Sequence, residues 1–151
     1  MSTHSLVVYS VTPDEPSAEA FSISRKPARW TSGQWPVIYT SEHAAAALLE
    51  YRAHLQSTPG HCLRISQALL PELDIHEIQP DEELAWRERP YRAEVQALGD
   101  AWLQGGHTLA ARVPSALCHG ESNLLINPSH AAFARIRYLP SIRFQLDQRL
   151  L

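Results

Sequence analysis

Three groups of residues in this chain are of types that do chemistry. The first is two adjacent pairs, His61-Cys62 and Cys118-His119. Four such side chains are enough for a tetrahedral zinc site. Neighbours in a strand point to opposite faces, so each pair would offer one ligand, and the sequence predicts no metal, with core cysteines and surface histidines instead. The second is Ser115, which follows Val113-Pro114 at the end of a predicted strand. Beside a histidine it would be a nucleophile; a cap, or a donor to a ligand, fits its place better. The third is a spaced set of cation, phenol and carboxylate: Arg29-Trp30, then Tyr39, then Glu50. The planar fork of Arg29 meets phosphate oxygens bidentately. Tyr39 offers an aromatic face and a hydroxyl. Glu50 can bind a hydroxyl, stabilise developing positive charge or activate water. Each also has a bland reading: a surface cation over an aromatic ring, a core tyrosine, a solvated glutamate. The position one turn after Glu50 is His54, not Lys or Arg. Phosphate-cradling glycine loops, the G-x-S-x-G elbow and H-E-x-x-H are absent from the sequence.

These residues need elements to place them. Leu6–Tyr9 and 36–40 read as strands, with a polar loop over 13–24 and a turn at Thr31-Ser32-Gly33-Gln34 between them. Ser41 stands as an N-cap for a helix over Ala44–Leu55, rich in Ala and Leu and stopped at Pro59-Gly60. Its apolar ridge reads as Ala45, Leu48, Leu49 and Leu55, with Glu50 among Ala46, Ala47 and Ala53. Cys62–Ile65 is a short strand, Leu69–Ile78 a strand plus turn, and Pro80–Trp86 a short helix. Tyr91–Gln104 is a second amphipathic helix presenting Val95, Leu98, Trp102 and Leu103, stopped by Gly105-Gly106. Thr108–Val113 is a strand and Asn123–Asn127 a buried turn or strand. Phe133–Tyr138 and Ile142–Leu146 read as a closing hairpin through Leu139-Pro140-Ser141. The class is α+β, a mixed or antiparallel sheet with two main flanking helices, in one domain over residues 1–151.

Composition bounds the function. At 151 residues, 44% hydrophobic and 19% charged, the chain suits one ordinary globular domain and not a disordered one. A net charge of −3 and scattered basic residues argue against a direct nucleic-acid binder. No apolar run is long enough to span a membrane. Met1–Ser10 lacks the Lys or Arg of a secretory signal, so Cys62 and Cys118 read as reduced thiols of a cytoplasmic protein.

Further pieces follow the first set in order: Leu98-Gly99-Asp100-Ala101-Trp102-Leu103, Val113-Pro114-Ser115-Ala116, and Asn123-Leu124-Leu125-Ile126-Asn127-Pro128 with His130. Together, from about Tyr9 to Arg149, they resemble the RES domain, a bacterial family named for an arginine, a glutamate and a serine. The resemblance implies a fold like the ADP-ribosyltransferase toxins, around an NAD cleft. It implies the toxin of a type II toxin–antitoxin pair, its cleft covered by an Xre-like helix-turn-helix antitoxin, so that DNA is touched only through the partner. NAD is then the substrate, its nicotinamide–ribose bond cleaved by hydrolysis or phosphorolysis. The alternatives are transfer of ADP-ribose to a host protein, or a degenerate partner-binding subunit. Carried over, the family's arginine falls on Arg29, its tyrosine on Tyr39, its glutamate on Glu50 and its serine on Ser115. Arg29, Tyr39 and Ser115 would bind NAD, with Trp30 lining the site. Asn123, Asn127 and His130 are expected to stabilise a turn beside the cleft. The sequence departs from the family at Tyr9-Ser10, where an aromatic–arginine pair is usual, and at Ala28, where glycine is; the first motivates the degenerate reading. The edge left by a closing hairpin offers itself for pairing with a second copy.

Overall fold

A computed structural model describes residues 6–55, 60 and 62–150. Its strands are β1 (Leu6–Pro13), β2 (Ile38–Ser41), β3 (Cys62–Leu70), β4 (Ile75–Glu77), β5 (Ala110–Pro114), β6 (Ser122–Ile126), β7 (Arg137–Tyr138) and β8 (Ile142–Gln145). The helices are α1 (Ala44–His54) and α2 (Ala93–Gly105). Among the described residues the strands form one sheet in the order β4-β5-β6-β2-β1-β3-β7, with β8 also on β3. Every pairing is antiparallel except β4 with β5, which α2 joins as a crossover. The class is the expected α+β.

Alternation divides the side chains between two faces. Tyr39, Leu125 and Ala111 share a rank across β2, β6 and β5, and Ser41, Asn123 and Val113 the next rank on that face. One block of this face is covered by α2 and the loops before it: Val95, Trp102 and Leu103 pack with Trp30, Trp86, Val37, Ala111, Val113 and Leu125. The other lies under α1, where Ala47 packs with Val11, Leu63 and Leu146. The opposite face buries Val8, Ile38, Leu124 and Ile126 beneath Ala132 and Ile136.

Several elements differ from expectation. Ser41 is the last residue of β2; the N-cap of α1 is His43, extended at φ −136° and making no side-chain cap. The buried stripe of α1 is Ala47 with Leu48 and Tyr51, while Ala45 and Leu49 are exposed. Four consecutive alanines start this helix, so apolar content alone selects no side, and the aromatic mass of Tyr51 settles it. The segment after Pro80 makes only a 3-10 turn, Glu82–Leu84, capped by Asp81. Asn123 to Ile126 is strand, one of the two states expected for it. The closing hairpin does not form. Phe133 lies in a 3-10 turn, Ala131–Arg135. β7 and β8 lie end to end along the same neighbour, β3, with the register moving by one residue between the pairs Ala68–Tyr138 and Ile65–Ile142. Leu139-Pro140-Ser141 is thus the bulge of an interrupted edge strand, where the missing N–H of a proline is tolerated. Cys62 and Cys118 are reduced and exposed, not core, and His61 lies outside the described residues. No helix of the described residues is long and apolar enough to cross a membrane.

The far ends of β1, β3 and β8 are tied by one carboxylate. Asp14 accepts from Arg64 Nε at 2.6 Å and pairs with Arg143 Nε at 2.7 Å. The Arg64 hydrogen bond, with the charge of Arg143, holds its carboxyl below the usual carboxylate range against partial desolvation. A depressed carboxylate pKa adds stability above the unfolded value of 3.8, and this is lost as pH falls through the folded value. The melting temperature should therefore drop as pH is taken below 3.8, and drop less in Asp14→Asn. A difference between the two proteins that persists unchanged into acid would count against this. Asp147, depressed by Arg149, acts in the same direction, so the variant flattens the acid limb only in part.

Candidate active site

The two covered blocks of the first face meet along a polar seam, and the third group of residues lies there. Glu50, on α1, turns toward the sheet, where Asn123 Nδ2 donates to its Oε1 at 2.9 Å. Asn123 is oriented in turn by Ser41, whose hydroxyl donates to Asn123 Oδ1 at 3.0 Å. An amide whose oxygen accepts from serine must present its N–H to the carboxylate, so the relay Ser41–Asn123–Glu50 fixes the glutamate rotamer. Among the described residues the other carboxylate oxygen has only the exposed His54, at 3.8 Å; the His54 ring instead hydrogen-bonds the Glu50 carbonyl at 2.7 Å. Among the described residues no Lys or Arg pairs with Glu50 within 4 Å.

Arg29 comes from the segment before β2. One terminal nitrogen donates to the carbonyls of Trp86, at 2.5 Å, and Glu88, at 3.2 Å, and its guanidinium lies 5.1 Å from the centre of the Tyr91 ring. Burial lowers its pKa, while Tyr91 and the charge of Glu50 oppose the fall. Tyr39 is held by a 2.5 Å hydrogen bond between its hydroxyl and that of Thr31. Burial raises its pKa, against that hydrogen bond and with help from Asp100 and Tyr91. At neutral pH Tyr39 is therefore a neutral phenol, a surface and an orienting group rather than a base.

The Arg29 segment is clamped from α2. Gln96 Nε2 donates to the Ala28 carbonyl at 2.9 Å, and Asp100 Oδ1 accepts from Ser32 N at 3.0 Å. Between them Gly99 lets the helix backbone lie against Trp30, where no side chain would fit. Trp30 is buried, its ring 5.5 Å from that of Trp86, and it shapes the site from behind. The indole N–H of Trp86 is the one buried side-chain polar atom without a partner among the described residues.

Ser115 lies just past β5, two residues beyond the partner of Asn123. It is buried, and its Oγ accepts from the N–H groups of Leu117 and Cys118 at 3.1 and 3.2 Å. Its hydroxyl proton remains for a further acceptor; no contact joins it to Glu50 or Arg29. Asn127 and His130 hold the turn after β6, accepting from Ser129 N and Ala132 N. Ser10 pairs with Ser66, on the face away from Tyr9 and Ser41 by alternation. The structure thus brings Arg29, Tyr39 and Glu50 to one seam and leaves Ser115 at its end. Gln96 and Tyr91 carry no spacing signal of their own, whereas Gly99, Asp100 and Asn123 stand inside motifs noted above, without the roles the structure gives them.

The arrangement can hold an anion at Arg29, a planar group against Tyr39 and a hydroxylated, cationic centre at Glu50. Comparisons with known proteins bear on the family and the fold. Residues 7–147 match the family model of the RES domain. A protein named Toxin Res from Yersinia enterocolitica is 31% identical over 125 residues, covering 81% of this chain and 82% of its own. A Prs ADP-ribosylating toxin from a Sphingobium species is 27% identical over 161 residues, covering 95% of each. The crystal structure of the M. tuberculosis MbcT–MbcA toxin–antitoxin complex shares the fold, with a TM-score of 0.67 at 18% identity over 98% of this chain and 87% of that one.

Proposed function

The chain belongs to the RES domain family, and from that premise we propose that it is the toxin of a toxin–antitoxin pair and cleaves the nicotinamide–ribose bond of NAD. The observation that carries the reading is Glu50: a carboxylate fixed by Asn123, free of Lys and Arg partners, in the field of a half-buried arginine. Breaking that bond sends its electron pair to nicotinamide and leaves positive charge on the ribose. Glu50 is where negative charge must stand to stabilise it, with one oxygen on Asn123 and the other open to a ribose hydroxyl. Arg29 takes a phosphate. The neutral face of Tyr39 takes the nicotinamide ring, and the Ser115 proton goes to a phosphate or to the carboxamide. The relatives named Toxin Res, and the MbcT–MbcA toxin–antitoxin pair that shares the fold, support the toxin role and an antitoxin partner. We place that antitoxin over this seam and assign it to the Xre-like type.

The test is to mix the chain with NAD, with and without phosphate, and follow nicotinamide and the ribose-bearing product by proton and phosphorus NMR. Nicotinamide release is expected, and its phosphate dependence chooses phosphorolysis over hydrolysis. Silence in both buffers would sink this reading in favour of the second, ADP-ribosyl transfer to a protein, which the name of the Sphingobium relative favours. Label from NAD would then appear on a protein of a bacterial lysate.

The relay gives a separate expectation. Asn123→Ala should lower kcat about 10–100-fold, the size of a hydrogen bond to a charged group that matters at the transition state, with a smaller loss of stability because the buried Ser41 hydroxyl loses its acceptor. Asn123→Asp sets two like charges together and removes the donor, so kcat should fall further than in Asn123→Ala. Equal rates in the two variants would mean that Asn123 does not act through Glu50.

A further inference from the structure

Four arginines gather where the segment 86–92 meets Arg29, and they divide into two kinds. Arg87 pairs with Glu82 at 2.8 Å, and Arg92 with Glu88 at 3.5 Å. Arg29 and Arg89 have no carboxylate within 4 Å among the described residues. These two flank Tyr91, with their guanidinium carbons 5.1 and 5.8 Å from its ring centre. They feel each other: the charge of Arg89 pushes down the pKa of Arg29. Two like charges left side by side, with Glu82 and Glu88 of the same loop engaged elsewhere, are what an incoming anion would neutralise.

We propose that Arg29 and Arg89 form a two-cation seat for the diphosphate of the dinucleotide, with Tyr91 as the aromatic spacer that sets their separation. The inference rests on the NAD reading and names the part of the substrate these residues hold. A dinucleotide diphosphate carries two negative charges, and one guanidinium fork fits one phosphate. Arg29 has one nitrogen committed to the Trp86 and Glu88 carbonyls, which aims the rest of its fork. Arg89 is exposed and uncommitted. Tyr91 is half-buried, holds both cations by its ring face and lies within electrostatic reach of Tyr39. The seat therefore adjoins the surface assigned to nicotinamide.

The test measures binding of ADP-ribose, inorganic diphosphate and adenosine by calorimetry, for the parent chain, Arg89→Met, Arg87→Met, Tyr91→Phe and Tyr91→Leu. Arg89→Met is expected to weaken ADP-ribose and diphosphate about 10–100-fold, the scale of a charged hydrogen bond, and to leave adenosine unchanged. In cleavage assays its KM should rise with kcat nearly unchanged. Arg87→Met should bind as the parent does. Tyr91→Phe should keep the affinity and Tyr91→Leu lose it, because only the ring is required. Equal binding by Arg89→Met and the parent, or an equal loss in Arg87→Met, overturns the seat and leaves the cleavage reading standing. A parent that binds diphosphate through Arg89 yet neither binds nor cleaves NAD keeps the seat and overturns the cleavage reading. A parent that binds none of the anions overturns both.

Discussion

Glu50→Gln is expected to reduce NAD cleavage by roughly 10²–10³-fold, the scale of removing one preorganised electrostatic group from a transition state, while the fold persists. Both halves follow from the site. The glutamine keeps the volume and a carbonyl oxygen, so Asn123 can donate as it does now at 2.9 Å. No Lys or Arg within 4 Å loses a partner among the described residues. What disappears is the negative charge facing the ribose. Circular dichroism melts and NMR-followed nicotinamide release on the same sample check the two halves together. In a bacterium without the antitoxin, growth arrest caused by the parent should be relieved by the variant. A folded Glu50→Gln protein that releases nicotinamide at the parent rate would take the catalytic role from Glu50.

Gly99→Ala should be the most damaging one-carbon change in the chain. The added carbon would come 1.9 Å from the Trp30 carbonyl oxygen, 2.9 Å from its carbonyl carbon and 3.1 Å from Thr31 Cγ2. Two of those atoms are backbone, and the strand of chain they belong to is clamped on either side by Gln96 and Asp100. Relief requires α2 to part from residues 28–32. Overpacking of this kind costs about 3 kcal/mol, the upper part of the usual range, against about 1 kcal/mol that alanine regains over glycine in a helix. At about 2–4 °C per kcal/mol for a chain of this size, the melting temperature should fall by roughly 4–8 °C. Activity should fall further than stability, because the displaced segment carries Arg29 and the Thr31 hydroxyl that holds Tyr39. Ala97, exposed on the same helix, is the control: Ala97→Gly should cost only the propensity difference, about 1 kcal/mol. A Gly99→Ala protein that melts with the parent would show that the approach of α2 is not tight.

The parts of the fold that local chemistry dictates were legible in the sequence. α2 announces itself by Val95, Trp102 and Leu103 at helical spacing and by its glycine stop, and Gly106 does take the left-handed cap at φ 65°. Arg29, Tyr39 and Glu50 stood out through their order along the chain. What escaped depends on partners far away in sequence. Ser41 looks like a helix cap because it precedes one; only the pairing of β2 with β6 shows that its hydroxyl belongs to Asn123. Pro140 between two β-prone stretches looks like a hairpin turn, and only β3 shows that both stretches run along one edge. Asn123 was expected to stabilise a turn beside the cleft, yet it holds the glutamate. Tyr91 and Arg89 gave no signal, because an unpaired cation is visible only once its neighbours are known to be paired.

The pairing of β2 with β6 has a consequence for the order of events at the ribosome. Glu50 and Asn123 are 73 residues apart, and Ser41 and Asn123 are 82 apart. At about 5–20 residues per second, roughly 4–15 seconds separate the synthesis of the glutamate from that of the amide that orients it. A growing chain already has Arg29, Tyr39 and Glu50, but not β6, the inner strand that brings Asn123 to the seam. A chain that stops before β6 lacks the amide that orients Glu50. The seam is complete only once β6 has been made, which on the proposed toxin reading leaves a partner made alongside it time to be waiting.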